Sequence, residues 1–283
     1  MFGFLNIYKP KGITSHDVVA ILRKITKIKQ IGHTGTLDPF AEGVLPICIG
    51  KSTRLIEYLK DDKAYIGTVQ FGKSTTSFDI DGETVSISDK KISLKDLENA
   101  LTNFRGEIQQ IPPIYSAIKI KGKKLYEYAR NGENVEINPR TVFIQKLEII
   151  SFNEKLQTAE LLIECSKGTY IRSIANDLGT LLGCYGYLTK LVRIKAGNFN
   201  LENSIMLEKI ETEKDVLKFL KSPLLYMEYP QYNLNEKEKE LVSHGMSINI
   251  NKQDGIIVLV YNDKLISIAE ITNKKAKTLK VFI

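Results

Sequence analysis

Leu5-Asn6-Ile7 is a short apolar run that stops at Pro10 and Gly12, a pattern that predicts a strand entering a tight turn. Beyond it, Val18, Leu22, Ile25 and Ile28 recur at helical spacing, and Thr14 or Ser15 stands where the N-cap would fall. Leu55, Ile56 and Leu59 behind Ser52 predict a second helix. Residues 63–71 alternate, with Tyr65, Gly67, Val69 and Phe71 on one face and Ala64, Ile66 and Thr68 on the other, as a strand does. Ser93 opens a helix with Leu94, Leu97, Leu101 and Phe104 inward, and Asp96 completes a capping box. Val142 to Phe152 and Leu156 to Cys165 predict two strands joined by a tight turn. A helix carrying Ile174, Leu178, Leu181 and Leu182 follows, then a strand from Leu188 to Phe199. After Pro223 and Pro230 the pattern becomes one short helix, 235–244, stopped by Gly245, and four β-rich runs near 247–250, 256–261, 264–271 and 278–283. A length of 283 residues suits one large domain and one small one.

One stretch, residues 32–50, fits neither period. Its glycines and two prolines, Pro39 and Pro46, argue against an ordinary helix or central strand and predict a shaped loop. Asp38 sits at its middle, biased by Pro39 toward extended or turn geometry. The residues alone leave two readings of Asp38: a side chain that closes a turn, or a carboxylate presented as a reactive centre with His33 close by.

Composition narrows the function classes. A hydrophobic fraction of 43% with 26% charged residues is that of a globular chain, and no apolar run approaches membrane-spanning length. The N-terminus lacks the features of a secretory signal, so a cytoplasmic location and no membrane partner are expected. Cys48, Cys165 and Cys184 lie far apart and outside any CxxC pattern, and only His16, His33 and His244 are present. A zinc framework, a disulfide scaffold or a multi-histidine metal site is therefore not expected. The net charge of +7 favours a polyanionic partner, and residues 1–227 carry most of it, with 32 basic against 26 acidic residues. Within them, 115–130 interleaves lysines and Arg130 with Tyr115, Tyr126 and Tyr128, which suits phosphate neutralisation and stacking on unpaired bases. The basic positions Arg23, Lys24, Lys27 and Lys29 of the first helix read as a solvated face.

Gly67 to Ser74 matches the phosphate-loop expression GxxxxGK[ST] to the letter. That loop needs a helix starting at its Lys-Ser, and the sequel Thr75 to Gly82 has no helical period, so a nucleotide site is not expected there.

The stretch Gly32 to Gly50 resembles the signature GHxGxLDPxAxGxLxxxxG of the TruB family of tRNA pseudouridine synthases, with every signature position filled. Three further segments resemble motifs of that family in the same order: Lys9 to Ser15 (KPxGxTS), Pro112 to Arg130 (PPxxSAxKxxGxxLYexAR) and Ser166 to Arg172 (SKGTYIR). The strand tyrosine Tyr65 with Thr75, Phe78, Asp79 and Gly82 resembles a further motif of the family, a Tyr on a strand followed by GxxTxTxDxxG, and Leu191 falls in a strand element of the family. Tyr8 departs from the family, which often carries aspartate there, and Arg193 is offset from the arginine of the strand motif. The resemblance implies an α+β pseudouridine synthase fold, with a mixed, largely antiparallel sheet flanked by helices over 1–227 and a small PUA-like β-barrel over 228–283. It implies a tRNA T-arm as partner, a monomer, and no cofactor or metal. Asp38 is implied as nucleophile, Arg172 as its ion-pair partner, and Tyr65 as the ring against the base. His33, Leu191, Lys9, Tyr115, Lys119 and Lys121 are implied as substrate contacts, with 108–140 an arm that is mobile without RNA. The rival reading is a non-catalytic RNA-binding or tRNA-folding protein, against which the intact Asp38, Tyr65 and Arg172 argue.

Overall fold

Strand β1, Gly3–Lys9, runs beside two strands that flank the glycine-rich stretch, β2 (Ile31–His33) and β3 (Glu42–Ile49), in a computed structural model that describes residues 1–283. Between β1 and β2 lies helix α1, Ser15–Thr26, capped by Thr14, whose hydroxyl accepts from the Asp17 N–H while the Asp17 carboxylate accepts from Thr14. The chain continues through β4 (Lys63–Phe71), a small hairpin of β5 (Lys73–Thr75) and β6 (Thr84–Ile87), helix α2 (Leu94–Leu101) and β7 (Gly106–Gln110). An arm follows, made of the hairpin β8 (Lys119–Ile120) and β9 (Lys123–Lys124) and a one-and-a-half-turn helix α3 (Leu125–Arg130). Lys121 and Gly122 close that hairpin with φ of 49° and 83°, the backbone that two-residue turns require. Strands β10 (Arg140–Asn153) and β11 (Thr158–Cys165), helix α4 (Ile171–Leu181), and strands β12 (Gly186–Ala196), β13 (Phe199–Asn200) and β14 (Ile205–Met206) complete the sheet.

The sheet has ten strands in the order β14-β1-β3-β12-β4-β11-β10-β7, with β2 paired to β3 and β13 to β12. Only β1 with β14 and β3 with β12 are parallel, so the mixed, largely antiparallel sheet expected from the resemblance is found. A 25-residue core joins Val69, Phe71, Leu161 and Ile163 of the strands to Leu97 and Leu101 of α2 and Ile174 and Leu178 of α4. Leu37, Phe40 and Ala41 belong to the same core, which ties the loop around Asp38 to the body of the protein.

Helix α5 (Glu213–Phe219) leads to β15 (Gln231–Asn233), α6 (Glu236–Ser243), β16 (Ile248–Asn249), β17 (Gly255–Tyr261), β18 (Lys264–Thr272) and β19 (Lys275–Val281). These strands form the small β unit expected there, a curled half-barrel sheet in the order β15-β17-β18-β19-β16. It shares a core with the larger part, where Phe4, Val44 and Phe199 meet Val258, Ile268 and Phe282.

Three expectations change. The second half of the glycine-rich stretch is a central strand after all, because β3 tolerates Pro46 at a gap between partners. On that side β2 pairs with Ile47–Ile49 and β12 with Glu42 and Gly43, so no ladder bond is asked of the missing N–H. The helix placed after Ser52 is a 3-10 segment, Gly50–Tyr58, in which the Ser52 hydroxyl binds the carbonyls of Gly3 and Ile49. Leu94, at the first turn of α2, is 44% exposed and not inward. The phosphate-loop look-alike occupies β4 and β5 with no helix behind it, as its sequel indicated.

Candidate active site

Two neighbours hold Asp38 from either side. Ser15, at the start of α1, donates its hydroxyl to the Leu37 carbonyl at 3.0 Å and accepts the Leu37 N–H at 2.8 Å. The Pro39 carbonyl accepts the Gly12 N–H at 2.9 Å and lies 3.4 Å from the Lys9 ammonium. Lys9 is fully buried and also donates to Pro10 and Ile13 carbonyls at 2.8 and 2.7 Å. The segment Lys9 to Ser15 thus braces the residues before and after Asp38, which fixes the carboxylate ahead of any ligand.

Arg193 of β12 braces the loop further back. It is wholly buried, and its guanidinium donates to the carbonyls of Val44 (2.7 Å), Gly35 (2.9 Å) and Thr36 (3.3 Å). The close approach needs Gly43, whose φ is +107° and whose hydrogen faces the Arg193 backbone; a Cβ there would collide with the Arg193 carbonyl.

Arg172, the second residue of α4, is 4% exposed and reaches Asp38 from across the cavity. Its Nε lies 2.8 Å from Asp38 Oδ2, with the N–H directed off that line, so the contact is an ion pair and not a linear hydrogen bond. Nη1 lies 3.4 Å from Asp79 Oδ2 and donates to the Ser77 carbonyl, and Nη2 donates to the Tyr115 carbonyl, both at 3.0 Å. An arginine at a helix N-terminus opposes the helix dipole, and two carboxylates offset that cost. Asp79 also accepts from the Ser77 hydroxyl and the Asp81 N–H. Burial pushes the Asp79 carboxyl above its ordinary pKa, with the Ser77 bond and Arg172 pulling the other way.

A cavity of about 250 Å³ opens on this pair. Asp38, Tyr65, Arg172 and Leu191 line it together with Lys63, and Ser116 and Ala117 of the arm close one side. It lies at the small end of ligand cavities, which begin near about 300 Å³, and suits one nucleoside better than an extended ligand. Tyr65 is 6% exposed, and burial pushes its phenol up to about 12 against the weaker pull of Arg193, so it stays protonated at neutral pH. Leu191 faces Gly67 across the β4–β12 ladder, where a larger residue than glycine would meet the Leu188 and Leu191 side chains. A second cavity, about 560 Å³, lies behind the ion pair and is lined by Asp79, Asp81, Glu83, Tyr115 and Arg130.

Of the residues proposed from the sequence, the fold brings Asp38, Tyr65, Arg172 and Leu191 to one cavity. Tyr115 contributes its carbonyl to Arg172 and its side chain to the cavity behind. His33 ends β2 away from the cavity wall; burial first, then the positive Arg193, lowers its pKa, so the ring is neutral near pH 7. Lys9 acts on the loop backbone, and Lys119 and Lys121 are exposed on the arm outside the cavity. Sequence reasoning missed the bracing role of Arg193 and the place of Lys63. The signal for Arg193 was a charge two residues from Leu191, in phase with a buried face.

A family model described as TruB family pseudouridylate synthase (N terminal domain) matches residues 23–171, and one described as tRNA pseudouridylate synthase B C-terminal domain matches 172–229. The chain is 39% identical to tRNA pseudouridine synthase B of Clostridium tetani over all of both chains, and 44% identical to that of Staphylococcus aureus over 90% of this chain and 88% of the other. Among solved structures, it superposes with a TM-score of 0.73 on a chain of an H/ACA RNP bound to a substrate RNA containing 2'-deoxyuridine. That match covers 100% of this chain and 85% of the other at 22% identity, a likeness of fold. With an N-terminal-domain model matching more than half of its length, a C-terminal-domain model matching the stretch that follows, and a full-length relative at 39% identity, the chain belongs to the TruB family of pseudouridylate synthases.

Proposed function

We propose that the protein isomerises uridine to pseudouridine at position 55 in the T-loop of tRNA, with Asp38 as nucleophile. The observation that carries this reading is a carboxylate braced on both sides, paired with a buried arginine, at the mouth of a nucleoside-sized cavity with Tyr65 and Leu191 on its wall.

The reaction breaks the N1–C1′ bond of the nucleoside and forms C5–C1′. The C5 proton leaves and N1 gains one, so the product is an isomer and electrons balance without an oxidant or reductant. Asp38 supplies the nucleophile that carries the fragment between the two bonds. Arg172 pairs with that carboxylate and aims it into the cavity. Tyr65 lies against the base, and its neutral phenol suits proton transfer around C5. Leu191 and the rest of the core-side wall exclude water from the detached base.

A uridine inside a folded loop must leave its stack to reach Asp38. The arm over 108–140, with exposed Lys119 and Lys121, is the surface we assign to the RNA backbone, and the sheet over 228–283 a second RNA contact acting with it as a monomer. His33 is the residue we assign to the space that the extruded nucleotide vacates.

Tritium release tests the reaction. An unmodified tRNA transcript labelled at uridine C5 should release one equivalent with the wild type and none with Asp38→Asn, while binding persists. Tight binding without release by the wild type would leave an RNA-binding protein and overturn the enzyme reading.

A further inference from the structure

Lys63, the first residue of β4, stands between two cavities: the one that holds Asp38, and a neighbour of about 270 Å³ lined by Thr34, Lys60, Asp62, Lys167 and Gly197. Its ammonium has one partner in the protein, the Asp61 carbonyl at 3.2 Å. The two acids next to it in sequence are engaged elsewhere, Asp61 with Lys167 at 2.7 Å and Asp62 with Lys195 at 2.9 Å. The other strong charge nearby, Arg193, has the same sign. Burial and that like charge lower the Lys63 pKa against the weaker opposing pull of Asp61 and Asp62, the mark of a cation that the protein compensates only in part. A partly buried ammonium without an anion is unfavourable unless a ligand supplies one. Gly35 passes close over this group: a Cβ there would lie 3.2 Å from Lys63 Cε and at contact distance, 3.7 Å, from Arg193 Nη1, so a side chain would crowd the end of the lysine.

We propose that Lys63 binds the phosphodiester joining the target uridine to its neighbour, and so sets the depth at which the uridine meets Asp38. The inference rests on the uridine-isomerising reading of the adjoining cavity. The nucleobase enters the cavity of Asp38, the chain passes over Lys63, and the adjoining nucleotide continues toward the second cavity. The acids of that second wall, Glu57, Asp61 and Asp62, are each paired with a lysine, Lys280, Lys167 and Lys195.

The test uses a T-arm stem-loop tritiated at C5 of the target uridine, with a neutral methylphosphonate in place of the phosphate on its 5′ or its 3′ side. Wild type, Lys63→Gln and Lys63→Arg are compared by single-turnover release and by Kd. On the all-phosphate RNA, Lys63→Gln should lose on the order of tenfold, as expected for a charge-assisted contact, and Lys63→Arg should recover part of it. One of the two methylphosphonates should cost the wild type a similar factor and cost Lys63→Gln nothing further. The slope of log Kd against log salt should fall in magnitude by about 0.7 in Lys63→Gln, one single-strand phosphate contact. A purely structural lysine would give losses that multiply with both methylphosphonates, which would overturn the assignment. So would a wild type indifferent to both, a result that does not depend on how the variants fold. Because the coupling is also read in Kd, absence of release by the wild type on unmodified RNA would count against the reaction and leave the Lys63 contact decided by binding.

Discussion

Replacing Arg172 by lysine keeps the charge and removes the geometry. The guanidinium spans Asp38, Asp79 and the carbonyls of Ser77 and Tyr115, a spread that one ammonium cannot cover. A lysine held near Asp38 abandons both carbonyls, and buried acceptors left without donors cost about 1–3 kcal/mol each. Part of that returns through water in the cavity, which leaves a net loss of about 2–4 kcal/mol. For a chain of this size a kilocalorie shifts Tm by about 2–4 °C, so the variant should melt on the order of 5–10 °C lower. Catalysis should suffer more, because Asp38 loses its fixed counterion, and a displacement of about 1 Å in a reacting group costs roughly a hundredfold. Single-turnover tritium release gives the rate, differential scanning fluorimetry the Tm, and filter binding the affinity, which should change little. Arg172→Met serves as the limit, since it strands two carboxylates and should cost about 3–5 kcal/mol. A lysine variant with turnover within about threefold, less than 1 kcal/mol of barrier, and an unchanged Tm would refute the argument that geometry and not charge alone holds the site.

Tyr65→Phe should slow release by about a hundredfold or more yet leave the shape of the pH–rate profile unaltered from about pH 6 to 9, because a phenol with a pKa of about 12 does not titrate there; a lost alkaline limb would contradict this. Asp79 should reveal itself through pH. Its folded pKa is raised above the ordinary 3.8, so the stability it contributes is full below that value and is lost as pH rises through the folded pKa. Asp79→Asn should therefore gain less Tm than the wild type on mild acidification, and a larger gain would reverse the sign. Arg193→Met leaves the carbonyls of Val44, Gly35 and Thr36 without a donor and should cost at least about 3 kcal/mol in urea unfolding; a loss under about 1 kcal/mol would mean that the loop does not depend on it. Burial pushes the thiols of Cys48 and Cys165 up, to about 12 and about 11, and raises that of Cys184, so Ellman's reagent should find no reactive thiol in the native protein and three after denaturation.

The sequence determined the elements and the chemistry-bearing residues by itself. Alternation placed β4 and the β10–β11 pair, helical period placed α1 and α4, and the Ser93 and Asp96 spacing gave the capping box that the structure contains. These signals are local, and local propensity with solvent exposure suffices to read them. The motifs gathered Asp38, Tyr65, Arg172 and Leu191, which the fold does bring to one cavity. Tertiary structure decided what each charge does once there. Lys9 reads as a substrate contact along the chain, but its amine ends on three backbone carbonyls, because the turn after β1 folds back under the loop. Pro46 reads as a strand breaker, yet β3 places it where the sheet changes partner and no donor is required. Arg193 and Lys63 are two cations on adjacent strands; one is consumed by three carbonyls and the other faces the cavity with its neighbouring acids already paired. No spacing encodes that difference. It follows from how burial and long-range pairing distribute a limited number of hydrogen-bond partners, a quantity that exists only when strands far apart in sequence lie side by side.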